Sequence, residues 1–421
     1  MKVFAAVRRF AVVSGLVAAL IAWAPTADAE VKRIVVDTKV SPAFDGAVYD
    51  NAGQYETLAG RAFGELDPND PHNRIITDIQ LAPRNANGMV EYIASFFVVK
   101  PIDMSNSSQL MWHWVPNRGR RVTIGEIERG AGDIGLSSGW QGDSSGRTVP
   151  GDNNDYVIVP AARNVDGSAV TGLVLGRIVN ASGLDSRPMR VNANPVPYVP
   201  SSLDTTQATL ETHASEAIDG TIGETRTIPS GDWAWASCSV SNPFPGTPDP
   251  TQICLRSGFD PALLYQVVFT AQDPPVLGIG FAAFRDVASF FRNATADEEG
   301  SPNPLANQIT GMISQGRSQS GNFLRAFLHL GFNEDERGRQ VYDGVWPVIA
   351  GRRVSLNARF ALPDGALLCA SVDPVAMALF KPPSAYGVDI ATAEGQALGV
   401  PASFGGPYVG LFACKQEYLR Q

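Results

Sequence analysis

Hydrophobic and polar residues alternate along much of the first third of the chain beyond residue 30, which predicts β-strands. Residues 90–99 (VEYIASFFVV) are rich in β-branched and aromatic side chains and lie between turn residues. Residues 109–115 (QLMWHWV) alternate so that Trp112 and Trp114 fall on one face and His113 on the other. Residues 155–160 and 172–179 continue the strand pattern. Both lie in a segment of about 150–230 that is predicted to be a β-rich, irregular insertion. Beyond about residue 180 this segment is polar and interrupted by prolines.

From about residue 258 the pattern changes to helices that alternate with strands. Asp260 and Pro261 are typical of a helix start, so a helix is predicted over the following ALLYQVV. A second helix is predicted over 277–293, and a third is indicated by apolar residues between 323 and 328, ending at Gly331. Strands are predicted at 308–314 and 344–350. This alternation predicts an α/β fold with a parallel sheet and helices on its faces.

Composition and charge limit the class of partner. The chain has 421 residues, 44% of them hydrophobic, and a formal net charge of -9. Such an acidic balance argues against a nucleic-acid partner, since phosphates require a basic face. The cluster of Arg118, Arg120 and Arg121 admits two interpretations, an anion site or a solvated strand end or turn, and the second is the commoner.

The N-terminus has the three parts of a secretory signal peptide. Lys2, Arg8 and Arg9 precede an apolar run of about 15 residues, and a small-x-small site ends at Ala29. A transmembrane anchor is the alternative, but the run is shorter than the roughly 20 residues that cross a bilayer. We expect residues 1–29 to be removed and the remainder to be periplasmic or secreted, without a membrane span.

Export makes disulfide bonds possible. Cys238 and Cys254 flank a segment with four prolines, and a disulfide closing a loop of this length stabilises by about 3 kcal/mol. Zinc is the alternative, but neither cysteine belongs to a CxxC motif or lies near a histidine. We therefore expect a Cys238–Cys254 disulfide and no metal site. The pattern supports no expectation for Cys369 or Cys414.

The stretch GRSQSG (316–321) lies between a predicted strand and a predicted helix. This is the setting of a nucleophile elbow, G-x-S-x-G, whose strained turn needs small residues. Gly316 and Ser318 occupy the first two fixed positions, and Ser320 replaces the last glycine. Ser318 is therefore the candidate nucleophile, and Ser320 a packing residue or cap. The backbone N–H of Gln319 is the candidate oxyanion donor.

Several long blocks of the sequence carry a family resemblance. They are GQYETLAGRAFGELDPNDPHN (53–73), LAPRNANGMVEY (81–92), VPNRGRR (115–121), GWQGD (139–143), NPFPGTPDPTQICLRSGFDPALLY (242–265), LGIGFAAFRDVASF (277–290), QGRSQSGNFLRAFLHLGFNEDERGR (315–339) and DGVWPVIAGRR (343–353). In these blocks the chain resembles the α/β-hydrolase superfamily and, more narrowly, an exported bacterial family called "alpha/beta hydrolase domain".

The resemblance spans about residues 36–365 and implies a hydrolase domain over 30–365. It implies a mostly parallel sheet with helices on both faces and a β-rich N-terminal part. It also implies Ser318 as nucleophile, a second oxyanion donor at Asn117 or Arg118, a small-molecule ester as substrate and no cofactor.

The base that would activate Ser318 is not evident. The chain has four histidines, and only His329 follows the serine, about three helical turns along the predicted helix. His329 is predicted to be a partly buried structural residue and His113 a packing residue. An upstream histidine, His72, His113 or His213, would be an unusual base. Asp343 is predicted at the wrong end of the sheet. The remaining downstream candidates for the acid lie in no recognisable pattern: Asp364, Asp373 and Asp389.

The resemblance stops near Gly365, and residues 366–421 read as an atypical tail without histidine. Two hypotheses follow. The first is an exported serine hydrolase, a carboxylic-ester hydrolase working through an acyl-serine, impaired in this chain because the triad histidine is missing. The second is a catalytically inactive scaffold that binds a ligand or partner.

Overall fold

The computed structural model of the protein describes residues 31–143, 153–189, 197–216, 222–351, 354, 356–359, 369–372, 390–394 and 410–414. The predicted signal peptide, and Asp364, Asp373 and Asp389, lie outside these residues. Among the described residues, no helix is both long and apolar enough to cross a membrane.

The described chain is rich in β-structure. In the first half the strands are Val31–Val40 (β1), Val48–Tyr49 (β2), Gly53–Leu66 (β3), Val90–Pro101 (β4), Leu110–Trp114 (β5), Ile134–Ser138 (β6), Val157–Ile158 (β7), Thr171–Ile178 (β8), Arg187–Pro188 (β9) and Val199–Pro200 (β10). In the second half they are Thr209–His213 (β11), Thr225–Ile228 (β12), Trp233–Ser239 (β13), Asn242–Leu255 (β14), Leu264–Gln272 (β15), Gly311–Arg317 (β16), Gly344–Val348 (β17), Cys369–Val372 (β18), Ile390–Glu394 (β19) and Gly410–Cys414 (β20). The strands predicted at 90–99, 109–115, 155–160, 172–179, 308–314 and 344–350 are confirmed, with bounds shifted by up to three residues.

Nine strands form the main sheet, in the order β1-β3-β4-β6-β5-β16-β17, with β2 on β3 and β7 on β4. The pairs β6–β5, β5–β16 and β16–β17 are parallel, and the pairs between β1 and β6 are antiparallel. The expectation of a mostly parallel sheet is therefore wrong. Its cause is physical: β1, β3 and β4 follow one another through connections without an α-helix and pair antiparallel, whereas α1 lies between the parallel strands β5 and β6 and α3 between the parallel strands β16 and β17.

Three α-helices are present in the described residues: Glu126–Gly130 (α1), Ile279–Asn293 (α2) and Gln319–His329 (α3). The helices predicted at 277–293 and after 318 are confirmed. Phe291 of α2 packs on Phe96 of β4, and Phe281 of α2 stacks on Phe323 of α3 with ring centroids 4.8 Å apart. These two helices therefore cover the same face of the main sheet.

The short helix α1 covers the other face. Tyr55 of β3 donates its hydroxyl to the carbonyl oxygens of Arg129 and Asp133, at 2.9 and 3.0 Å. Tyr55 packs with Val99, which points away from α2 because side chains alternate along β4. Helices thus occur on both faces, but the face opposite α2 and α3 carries only this one-turn element in the described chain.

Strands from β8 to β15 form two further sheets outside the main sheet. One has the order β10-β15-β11-β12 with β8 on β15, and the other has the order β13-β14-β9. They share a separate core that includes Trp233, Trp235 and Phe269. The irregular insertion expected to end near 230 is therefore followed without a break by strands that continue the same sheets to Gln272. A fourth sheet, β18-β19-β20, contains only strands from beyond residue 368.

The helix predicted after Asp260 is wrong, because this segment is the central strand β15. Burial alternates strictly along β15, and the strand pairs with β8 on one side and with β10 and β11 on the other. The Asp260 carboxylate does accept a backbone N–H, from Ala262 at 2.9 Å, but it closes a turn rather than a helix. Cross-strand pairing of Tyr265, Val267 and Phe269 outweighs the local start signal.

The predicted Cys238–Cys254 disulfide is present, with the Cα atoms 5.8 Å apart. It joins β13 to β14, and so the proline-rich segment between the cysteines is a strand rather than a loop. A proline has no N–H to donate to a neighbouring strand. The proline-rich part of β14 can still be a strand because its second side is unpaired there: β9 pairs with β14 only at Gln252 and Ile253.

A charged cluster lies inside the main core, where α2 meets the loop before β17. Arg285 is fully buried and donates to Asp286 at 2.7 Å and to Glu336 at 3.2 Å. It also donates to Asn73 Oδ1 at 3.1 Å, and the Tyr92 hydroxyl donates to Asp286 at 3.2 Å. Burial and the neighbouring Asp286 raise the pKa of Glu336 to about 8.

Candidate active site

Ser318 lies at the turn between β16 and α3, at the carboxyl end of the parallel strands. Its φ of 60° and ψ of -119° belong to a region that residues with a Cβ rarely adopt. The backbone is held there by its N–H, which donates to the Val348 carbonyl of β17, and by its carbonyl, which accepts from Asn322 N–H, both at 2.9 Å. Ser318 is an exposed residue. The structure thus places Ser318, not Ser320, at the apex of the turn.

Two glycines make this turn possible. A Cβ on Gly316 would lie 2.5 Å from the Ser320 carbonyl oxygen, and one on Gly321 would lie 2.8 Å from the Val348 carbonyl oxygen. Ser320 itself is 1% exposed, which agrees with a packing role. The strand, the turn and the helix approach each other so closely that small residues are required on both sides of Ser318.

The predicted oxyanion residues lie at the same edge of the sheet. Gln319 is the first residue of α3, where backbone N–H groups have no partner within the helix. Asn117 and Arg118 follow β5, the neighbour of β16, and Asn117 Nδ2 donates to the Arg317 carbonyl at 3.4 Å. Arg118 has a φ of 56°, so the chain turns sharply beside the elbow. These placements bring the Gln319 and Asn117–Arg118 backbones close to Ser318.

The three arginines Arg118, Arg120 and Arg121 lie in two different environments. Arg121 donates to Asp155 at 3.0 Å and lies 4.5 Å over the Phe97 ring. Asp155 is fully buried, and burial raises its pKa although Arg121 and two serine hydroxyls oppose this. Arg118 and Arg120 are exposed. The three arginines therefore do not form one anion site, because Arg121 serves an internal ion pair.

Sequence reasoning missed the polar residues at the end of β6. Trp140 anchors this turn, since its indole N–H donates to the Pro116 carbonyl at 2.7 Å and its ring packs 4.5 Å from Phe323. Gln141, the next residue, is 4% exposed, and its Oε1 lacks a hydrogen-bond partner in the described protein. Leaving a buried acceptor unpaired costs about 1–3 kcal/mol. The block GWQGD (139–143) was the only signal, and no role for it follows from sequence alone.

Two of the four histidines lie inside the fold with other partners. His113 is fully buried, with Nδ1 2.7 Å from the Tyr342 hydroxyl and Nε2 2.8 Å from Ser138 Oγ. Its burial holds its pKa well below the usual value, so the ring is neutral. His213 pairs with Thr225 in β12, outside the main sheet. The structural role predicted for His113 is supported by these contacts.

The other two histidines lie away from the elbow. His72 is 2.7 Å from the Asp70 carboxylate and 3.4 Å from that of Glu334. His329 ends α3 and is exposed, so the expectation that it is partly buried is wrong: its position falls on the solvent side of the helix. Since all four histidines belong to the described residues, the structure brings none of them into hydrogen-bonding contact with Ser318.

Asp343 is the one acidic candidate among the described residues, and it lies away from Ser318. Asp343 accepts the Met312 N–H at 2.8 Å and pairs with Arg292 at 3.0 Å, at the amino end of β16. This agrees with the expected position at the wrong end of the sheet. No group of three or more His, Cys, Asp or Glu side chains in the described part of the chain is arranged to hold a metal ion.

Two family models match different parts of the chain. Residues 206–375, less than half of the chain, match the alpha/beta hydrolase domain family. Residues 358–421 match the glycine cleavage system P-protein family. The chain therefore joins a hydrolase-like segment to a segment that resembles another family, and the resemblance to hydrolases is supported only in part.

The curated relatives belong with the second segment's family by name. A probable glycine dehydrogenase (decarboxylating) subunit 1 from Thermotoga maritima is 54% identical over 107 residues, which is 23% of this chain and 24% of the relative. Proteins of the same name are 62% identical over 79 residues in Sphingopyxis alaskensis (18% of each chain) and 54% identical over 57 residues in Desulforamulus reducens (14% of this chain, 13% of the relative). The chain spans less than a quarter of each of these relatives. No solved structure matches.

Proposed function

We propose that residues 30–365 are built as a serine hydrolase that cleaves carboxylic esters through an acyl-serine, with Ser318 as nucleophile. The observation that carries the proposal is the strained conformation of Ser318, an exposed residue, between β16 and α3. Such a turn is expensive to fold and is typical of elbows that present a nucleophile. The match of residues 206–375 to the hydrolase family supports the same reading.

In the proposed reaction the Ser318 hydroxyl attacks the ester carbonyl and the alcohol leaves. The Gln319 N–H, with an N–H from Asn117 or Arg118, would hold the negative oxygen, aided by the positive end of α3. Water then releases the acid. Proton transfer to and from Ser318 needs a base, and no histidine of this chain contacts it. We propose that this chain is therefore impaired.

A fluorophosphonate probe with added imidazole tests the nucleophile. Because Ser318 is exposed, a small diffusible base can reach it in place of the missing side chain. We expect weak labelling that rises with imidazole concentration, that is lost in Ser318→Ala and that persists in the control Ser320→Ala. Mass spectrometry locates the adduct. Labelling that does not depend on imidazole and does not map to Ser318 would support the second candidate, an inactive scaffold. The observation that favours this candidate is that no histidine contacts Ser318.

We also propose that the protein is exported and processed behind Ala29, because residues 1–29 have the charge and length of a signal peptide. N-terminal sequencing of protein recovered outside the cytoplasm is expected to begin at Glu30. Recovery of exported protein that retains Met1 would contradict cleavage. The glycine dehydrogenase relatives carry no activity over to this chain, because the matched part is a small share of them.

A further inference from the structure

Three amide side chains at the candidate active site have side-chain oxygens that are shielded from solvent. They belong to Asn117, Gln141 and Gln319, and none of the three oxygens accepts a hydrogen bond in the described protein. Buried polar atoms are nearly always paired in folded proteins, so each unpaired one requires an explanation. These three oxygens, and the unpaired Ser320 Oγ beside Gln319, receive no hydrogen bond from any donor of the described protein.

The topology places the three residues together at the carboxyl end of the parallel strands. Asn117 and Gln141 come three residues after β5 and β6 end, and Gln319 comes two residues after β16 ends. These strands are adjacent and parallel, in the order β6-β5-β16, so their carboxyl ends meet at neighbouring positions about 5 Å apart. Ser318 lies at the end of the same row, beside Gln319.

The orientation of Asn117 shows which chemistry is missing. Its Nδ2 donates to the Arg317 carbonyl, so its oxygen is left as an acceptor. Gln141 is the most deeply buried of the three, at 4% exposure, in a turn that Trp140 fixes against Pro116 and Phe323. A simple alkyl ester has no N–H or O–H group that could donate a hydrogen bond to these oxygens.

We propose that the acyl-binding side of this site recognises a hydrogen-bond donor close to the ester carbonyl, either a hydroxyl or an amide N–H. The proposal rests on the proposed function, since it takes Ser318 as the reacting residue. The substrate class is accordingly esters of hydroxy acids or of N-acyl amino acids rather than esters of plain fatty acids. Gln141 is the principal acceptor, and Asn117 and Gln319 are its neighbours along the row.

The test measures binding, so that it does not depend on turnover. Ethyl lactate, N-acetylglycine ethyl ester and ethyl propionate are titrated by saturation-transfer NMR into the Ser318→Ala protein, residues 30–421. At least one of the two donor-bearing esters is expected to bind about 2- to 10-fold more tightly than ethyl propionate, the range for one neutral hydrogen bond. Which of the two binds more tightly distinguishes a hydroxyl from an N–H.

Gln141→Leu removes the acceptor and is expected to bring the ratio of affinities close to one. Gln207→Leu is the control. Gln207 is exposed just before β11, so this substitution should leave the ratio unchanged. If circular dichroism shows that Gln141→Leu unfolds, Gln319→Leu replaces it. Equal affinity for all three esters, or a preference that survives the substitution, overturns the proposal while leaving Ser318 labelling unaffected.

Discussion

Residues 30–421 are expected to hydrolyse p-nitrophenyl acetate no faster than the same chain carrying Ser318→Ala, to within about twofold. A serine hydroxyl needs a base within hydrogen-bonding reach, and loss of the triad histidine in a serine hydrolase costs about 10⁶-fold in kcat. His72, His113 and His213 are occupied by other partners, and His329 is exposed at the far end of α3. Fast turnover that disappears in Ser318→Ala would contradict this and identify one of the first three as an unexpected base.

Exchanging the tail is the complementary experiment. We propose that residues 366–421 do not belong to the hydrolase unit, since 358–421 match another family and the described strands β18, β19 and β20 pair only with each other. A chain in which this tail is replaced by strands that complete the hydrolase and supply a histidine should gain Ser318-dependent activity, by up to about 10⁶-fold. If such a chain folds but stays inactive, Ser318 is not the nucleophile.

Arg285→Met is expected to destabilise the protein by about 3–5 kcal/mol, the range for removing one partner of a buried ion pair. Arg285 is fully buried and is the cation that pairs with the Asp286 carboxylate at 2.7 Å; it also donates to Glu336, whose pKa is raised to about 8. Urea unfolding at pH 7 measures the loss. Arg226→Met is the control, because the Arg226–Glu224 pair is exposed and such pairs contribute about 0–1 kcal/mol. Similar losses for both variants would contradict the assigned role.

The same cluster makes the stability depend on pH. The pKa of Glu336 is raised to about 8 by burial and Asp286. A carboxyl group whose pKa is higher in the folded than in the unfolded protein binds more protons when folded, so stability falls as pH rises between the two values. For Glu336 this window runs from its ordinary range, near 4.5, to about 8. Glu336→Gln is expected to flatten the decline, and an unchanged slope would assign it to other groups.

Local patterns predicted the elements near the candidate site well. The apolar stripe of α2, the glycines around Ser318 and the strands β16 and β17 are signals that tertiary contacts reinforce. The prediction failed where contacts distant in sequence decide. Asp260-Pro261 starts a turn because β8 and β11 enclose β15, and the prolines of β14 pass as a strand because the Cys238–Cys254 bond and β13 hold it.

The unpaired amides could not be predicted in the same way. Whether Gln141 finds a donor depends on which strand ends lie beside β6, and the sheet order is not encoded in any local pattern. The direction of β1–β4 has the same origin, because a strand pattern does not distinguish parallel from antiparallel pairing. His329 was misplaced for a smaller reason: its neighbours Phe327 and Leu330 are apolar, but the helix turns His329 toward solvent.

The register of the main sheet determines how long β5 must wait for its partner β16 during synthesis of the chain. Leu110 of β5 pairs with Gly311 of β16, so about 200 residues must emerge between the two strands. At 5–20 residues per second this takes roughly 10–40 s, during which one edge of β5 has no partner. The sheets formed by β8–β15 lie wholly within that interval and can assemble first. The excursion between β5 and β16 is thus also a delay, and exposed strand edges during such delays are where aggregation begins.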